Sequence, residues 1–140
     1  MTDSTPMTDA TLDRSETPRV LIADDDPVLR SVLTMQLNAG FEVVGAARDA
    51  AEAVALAEQH QPDIAILDVD MPEGGGVHAA REITVCSPET AIVAFSADES
   101  HKGVLNMLDA GAITYLRKGI TREALAATLH RCIEAKHQLG

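Results

Sequence analysis

Apolar residues in this chain fall into two alternating kinds of segment. Val20–Ala23 is a short continuous apolar run that ends in three aspartates, Asp24, Asp25 and Asp26. Val28, Leu29, Val32, Leu33 and Leu37 then recur with the 3.6-residue period of a helix that buries one stripe. Gly40 is placed to end that helix in the left-handed conformation, with Phe41 as the apolar contact that follows it. Phe41–Ala46 reads as a second strand. Asp49 reads as an N-cap with Glu52 completing a capping box, and Pro62 stops the helix after His60. Ile64–Leu67, Ala91–Phe95 and Ile113–Leu116 read as three more strands. Helices are expected from Gly76 to Cys86, from Glu99 to Ala110 with Gly111 as its cap, and from Thr121 onward. The last should bury Leu125, Leu129, Cys132 and Ile133. Five near-continuous apolar strands alternating with five helices predict an α/β fold, a doubly wound parallel sheet covered on both faces.

Composition narrows the possibilities. A chain of 140 residues suits one domain with an ordinary core. Its first 18 residues are rich in Ser, Thr, Asp and Pro, and they read as a flexible tail ahead of a domain over 19–140. Two cysteines, Cys86 and Cys132, exclude a disulfide framework and suit a cytoplasmic protein with reduced thiols. No secretory signal and no membrane-spanning run is legible. A net charge of -11 and an aromatic content of 2% argue against direct nucleic-acid binding, which needs Lys and Arg on phosphates or aromatic stacking platforms.

The polar residues that interrupt the pattern stand at the carboxyl ends of strands. Asp24, Asp25 and Asp26 follow the first, Asp68 and Asp70 the third, Ser96 the fourth and Lys118 the fifth. In an open α/β sheet those ends share one edge, where ligands bind. Clustered carboxylates call for a cation, and an oxygen set of this kind suits Mg²⁺. A lysine adds a positive point charge and a serine a donor, so the group forms a cradle for a phosphoryl group. One carboxylate can then act as the nucleophile, giving an aspartyl phosphate.

The segments V-L-I-A-D-D-D-P, I-L-D-V-D-M-P-E-G-G-G, V-A-F-S-A and Y-L-R-K-G resemble the four signature segments of the response-regulator receiver domain of bacterial two-component signalling. The resemblance covers about residues 19–137. It implies a flavodoxin-like five-stranded sheet of order 2-1-3-4-5 with five helices. It implies that Asp68 is the phosphoacceptor, that Asp25 ligates Mg²⁺ directly and Asp24 through water, and that Asp70 ligates it by its carbonyl. Ser96 matches the switch hydroxyl, Lys118 the phosphate-binding lysine and Tyr115 the switch aromatic that turns inward on activation. A sensor histidine kinase or phosphotransfer protein is the implied donor. The output is left to an effector protein or a further domain, and a homodimer through helix 4, strand 5 and helix 5 is a possible assembly. Such a domain catalyses its own phosphorylation and dephosphorylation but is not a metabolic enzyme. Two departures stand out: Gly119 follows Lys118 where many receivers have proline, which disfavours a cis peptide there, and E-G-G-G after Pro72 favours mobility and positive φ.

An alternative is a phosphatase of the haloacid-dehalogenase type, which also uses an aspartate nucleophile in a D-x-D motif. Its second acidic pair follows the lysine, whereas Asp24 and Asp25 precede everything here. A purely scaffolding receiver is disfavoured because every residue needed for phosphorylation is present. His60, His78, His101, His130 and His137 lack metal-ligand spacing, both cysteines suit packing roles, and no G-x-x-x-x-G-K phosphate loop exists.

Overall fold

A computed structural model of the chain describes residues 17–72, 75–97 and 101–139. Residues 1–16 of the tail expected over 1–18, and the proposed helix start at Glu99, lie outside the described residues. The elements run β1 (Arg19–Ala23), α1 (Pro27–Leu37), β2 (Glu42–Ala47), α2 (Ala50–His60), β3 (Ile64–Asp68), α3 (Gly75–Cys86), β4 (Ala91–Ser96), α4 (His101–Asp109), β5 (Ala112–Arg117) and α5 (Arg122–Leu139). The five strands form one sheet in the order β2-β1-β3-β4-β5, every neighbouring pair parallel. This is the doubly wound flavodoxin-like arrangement expected. Among the described residues no helix is long and apolar enough to cross a membrane.

Alternation of side chains along each strand divides the core into two layers. Leu21, Ala23, Ala65, Leu67, Ile92 and Ala94 face one way, onto the alanines of α2 and α3 and Met107 of α4. Val20, Ile22, Ile64, Ile66, Val93 and Phe95 face the other way, onto Leu33 and Leu37 of α1 and Leu125, Leu129 and Cys132 of α5. Ile133, expected in the core, is only half-buried and packs against its margin. The first layer is built largely of alanine, so α2 lies close to the sheet through Ala50, Ala53 and Ala57.

Three local expectations need correction. The apolar stripe of α1 is wider than the surface the sheet offers it. Leu33 and Leu37 are buried, whereas Val28 and Val32 face outward with Met35. Gly40 does not take a left-handed conformation. Asn38 caps α1 in the right-handed region, and the N–H groups of Gly40 and Phe41 both reach the Leu37 carbonyl. Phe41 is nonetheless buried, so the contact survives without the glycine geometry. At α2 the Asp49 carboxylate accepts from the Glu52 N–H at 2.8 Å, but Glu52 reaches back to the Arg48 N–H, one residue beyond the cap. Gln61, not a glycine, closes α2 at φ 48°, and its side-chain amide donates to the Cys86 carbonyl at 3.0 Å, tying the ends of α2 and α3. Gly111 does take positive φ, at 124°, as expected of the residue after α4.

The glycines after Pro72 serve two different needs. Gly75 adopts φ 75°. Gly76 is required for space, because a Cβ there would collide with the Asp68 carbonyl oxygen and lie 3.1 Å from Met107 Sδ. Its N–H donates to the Val69 carbonyl at 3.0 Å, so α3 begins pressed against the end of β3. Gly76→Ala should therefore lower stability by about 1–3 kcal/mol, the usual range for overpacking, and a urea unfolding midpoint equal to wild type would contradict this packing.

Candidate functional site

The carboxyl ends of β1, β3, β4 and β5 converge as the strand pattern requires. Asp24 continues the β1–β2 ladder through its N–H to the Ala47 carbonyl at 2.9 Å, and it is fully buried. Its Oδ1 accepts the Asp26 N–H at 2.9 Å, and its carbonyl accepts Arg30 Nη1 at 2.7 Å. Asp26 turns away to cap α1, accepting the Val28 N–H at 2.9 Å. Of the three consecutive aspartates, one is thus buried, one (Asp25) is exposed beside it and one serves the helix. Asp68 is the last residue of β3 and is buried. Its Oδ1 accepts the Asp70 N–H at 3.2 Å. One oxygen from each of Asp24, Asp25 and Asp68 lies within 4.8 Å of the others, and this is the only such metal-ligating group of three among the described residues. None of the described histidines joins it.

Lys118 bridges the carboxylates. Its Nζ stands 3.0 Å from Asp24 Oδ2 and 3.1 Å from Asp68 Oδ1. Two contacts on β4 hold it there: its N–H donates to the Ser96 carbonyl at 2.9 Å, and its ammonium lies 5.6 Å from the centre of the Phe95 ring. The ring face favours a cation. Gly119 follows at φ 97°, so glycine lets the chain turn immediately after the lysine. The described residues contain no cis peptide bond.

One ammonium does not neutralise three carboxylates. Burial, with the charge of Asp24 behind it, pushes the Asp68 carboxyl up to about 6 against the pull of Lys118 and the Asp70 N–H. Burial alone would lower the Lys118 ammonium, but hydrogen bonds and charge from Asp24 and Asp68 more than offset it, so it is raised and stays charged. Asp24 Oδ2 is fully buried, and the partner it meets among the described residues is the Lys118 ammonium at 3.0 Å, which it shares with Asp68. A buried carboxylate oxygen in that condition, beside an exposed Asp25, fits a hard cation such as Mg²⁺.

The remaining sequence candidates occupy the rim. Ser96 is the buried last residue of β4. Tyr115 sits on β5 in register with Ala94 and is 44% exposed, directed outward. Asp70 is exposed beyond Asp68. Sequence reasoning did not single out Arg30, Phe95 or Val69, which hold Asp24, Lys118 and the β3 end in place. Arg30 is a lone charge on a helix, and the other two read as ordinary core residues. Burial pushes up the thiols of Cys86, where Glu58 adds to the effect, and Cys132, so neither is an activated nucleophile.

Comparison with known proteins agrees with this geometry. Residues 20–130 match the family model of the response regulator receiver domain. Among curated proteins, the chain is 44% identical over 116 residues to the transcriptional regulatory protein PdtaR of Mycobacterium tuberculosis, covering 81% of this chain and 54% of that one. It is 37% identical over 109 residues to the uncharacterized transcriptional regulatory protein YxjL of Bacillus subtilis, covering 76% and 50%. The chain therefore spans about half the length of these relatives. The signal receiver domain of the putative response regulator NarL from M. tuberculosis superposes with a TM-score of 0.80 at 31% identity, covering 85% of this chain and 98% of that one. The receiver domain of the sensor histidine kinase PA1611 of Pseudomonas aeruginosa, solved with a magnesium ion coordinated in its active-site cleft, superposes at 0.77 with 30% identity, covering 84% and 98%. The order of strands, the aspartates at their ends and the extent of these matches together place the chain in the response-regulator receiver domain family.

Proposed function

We propose that Asp68 accepts a phosphoryl group from a phosphohistidine on a sensor kinase or phosphotransfer protein, and that the phosphorylated domain signals through a changed surface. The observation that carries this reading is the Lys118 ammonium bridging Asp24 and Asp68 at 3.0 and 3.1 Å inside a cluster of three carboxylates. An Asp68 oxygen attacks phosphorus as the phosphorus–nitrogen bond breaks, and the electron pair returns to the imidazole ring. Lys118, already within contact distance of Asp68, offers its charge to the arriving phosphoryl oxygens. Asp24, Asp25 and Asp68, with the Asp70 carbonyl, would hold Mg²⁺, whose charge offsets that of the carboxylates and the phosphoryl group. Ser96 and Tyr115 are assigned the switch, supported by the position of Ser96 beside the Lys118 N–H and by the outward setting of Tyr115. Leu105 and Leu108 of α4 are likewise exposed, so α4, β5 and α5 offer a surface for an effector or a second copy.

A donor must bring its imidazole over Asp68. The outward face of α1 starts beside the acidic loop and carries Val28, Val32 and Met35, exposed by 66%, 41% and 73%. Beside Arg122 and Glu123 of α5, Val32 and Met35 line a groove suited to an apolar helix face of the donor.

Three outcomes are expected. Asp68→Asn should abolish labelling by acetyl phosphate or by any donor kinase, because the amide is a poor nucleophile; an undiminished phosphoryl adduct in its mass spectrum would overturn the assignment. Met35→Asp should slow transfer from a protein donor while leaving acetyl-phosphate labelling intact, and equal slowing of both would remove α1 from donor docking.

The third concerns pH and metal. Asp68 binds its proton near pH 6 in the fold, against 3.8 ordinarily, so between those values the folded state holds more protons than the unfolded chain. Stability of the metal-free protein should therefore fall as pH rises from about 4 to about 6, and Asp68→Asn should flatten that slope. Mg²⁺ at a hundredfold excess over its Kd should restore about 2.7 kcal/mol at neutral pH, and Asp25→Ala should remove most of that gain. Thermal melts across pH, with EDTA or Mg²⁺, read both effects, and a metal-dependent rise unchanged in Asp25→Ala would place the cation elsewhere.

A further inference from the structure

The residue after the acceptor, Val69, belongs neither to the carboxylate cluster nor to the Ser96–Tyr115 switch. Its N–H donates to the Phe95 carbonyl at 3.0 Å, and its carbonyl accepts the Gly76 N–H at 3.0 Å. Its side chain points to α4. A Cβ at Gly103 would lie 3.2 Å from Val69 Cγ1, tighter than an ordinary carbon contact. Glycine is a poor choice near the start of a nine-residue helix, and the Val69 methyl group is what its absent side chain accommodates. One turn on, Met107 is fully buried with its sulfur against Gly76. After the helix, Gly111 is pressed on Thr84 of α3, where a Cβ would come within 2.7 Å of Oγ1. The carboxyl-terminal end of α4 is thus seated on α3, and its amino-terminal end rests on the acceptor loop.

We propose that Val69 is a positioning residue that relays the state of Asp68 to α4, pressing on Gly103 so that the helix pivots about its Met107–Gly111 end. The link from the acceptor is covalent and short. Asp68 Oδ1 accepts the Asp70 N–H across Val69 at 3.2 Å. When that oxygen loses its negative charge to an acyl phosphate, the bond weakens and the 68–70 turn resets. Movement of Val69 toward α3 is opposed, because the Gly76 N–H is bonded to the Val69 carbonyl at 3.0 Å and the space between them would not admit even a Cβ on Gly76. The displacement is therefore delivered to α4. This inference rests on Asp68 as the acceptor, and it adds a route to α4 that does not pass through Tyr115.

The test is backbone NMR with Mg²⁺ and beryllofluoride as the phosphoryl mimic, on wild type, Val69→Ala, Val69→Thr and Gly103→Ala. The amides of Asp70 and Lys118 report occupancy of the acceptor, and those of residues 102–107 report α4. In wild type both sets should shift. In Val69→Ala the acceptor amides should still shift while α4 loses the larger part of its response, and Val69→Thr, which keeps the branched shape, should retain it. Gly103→Ala should displace α4 amides before any mimic is added, and combining it with Val69→Ala should return them toward wild type. Acceptor amides that stay still in wild type would overturn the acceptor reading itself. Acceptor amides that shift, with an α4 response equal in wild type and Val69→Ala, would overturn the relay alone.

Discussion

Everything at the working edge of this domain depends on one arrangement, a lysine ammonium held between two buried carboxylates. Removing charge from water is costly unless partners replace the solvent. Asp24 meets that cost through the Asp26 N–H and Lys118, and Asp68 through the Asp70 N–H and Lys118. The compensation is incomplete, as the raised Asp68 carboxyl attests. A species that supplies positive charge at the cluster is therefore favoured by the fold, and by linkage it favours the fold in return. The same shortfall that costs stability makes the site receptive.

The sheet is what allows so costly a group to be assembled. Asp24, Asp68, Ser96 and Lys118 come from four strands, and register alone brings them level. Asp68 pairs with Phe95 and Ser96 with Arg117, so a slip of one residue would turn each side chain to the opposite face. Both faces are buried under helices, which makes such slips expensive. The apolar layers thus act at a distance on the site: Ile66, Val93 and Phe95 on one side and Leu67 and Ala94 on the other fix the height at which the polar residues emerge.

Most of this was legible in the sequence because period and strand-end chemistry are strong signals. The five strands, the five helices and the convergence of Asp24, Asp25, Asp68, Ser96 and Lys118 follow from apolar runs that stop at polar residues. Local geometry was less legible where two mechanisms compete. Gly40 has the sequence context of a left-handed cap, yet the helix end tightens onto the Leu37 carbonyl instead. Gln61 takes a left-handed conformation that its residue type argues against, and side-chain hydrogen bonds to two helix ends compensate. The stripe of α1 could not be divided into inward and outward residues without knowing how much of the helix the sheet covers. Arg30 and Phe95 were illegible for a different reason. Arg30 reaches back across the loop before α1 to the Asp24 carbonyl, and Phe95 meets Lys118 and the Val69 N–H from a neighbouring strand, and no periodicity encodes such contacts.

The partners of Asp68 lie on separate pieces of the fold, and this governs how a change of charge there must spread. Lys118 belongs to the end of β5, which is bonded to β4 through the Ser96 carbonyl. The Asp70 N–H belongs to the turn that leads into α3, which Gly76 clamps against the β3 end. Neutralising or extending the Asp68 carboxylate alters both bonds at once, and the two sides answer differently. The β5 side is anchored by strand pairing but ends in a glycine at positive φ, so it can turn after Lys118. The α3 side also begins with a glycine at positive φ, Gly75, but the next residue is held close, its N–H bonded to the Val69 carbonyl at 3.0 Å with no room for a Cβ. On the reading proposed here, displacement is directed toward β5 and α4, the elements that carry the exposed Tyr115, Leu105 and Leu108. On that reading, the close packing at Gly76 on one side of the acceptor is as necessary to a directed response as the exposed elements on the other.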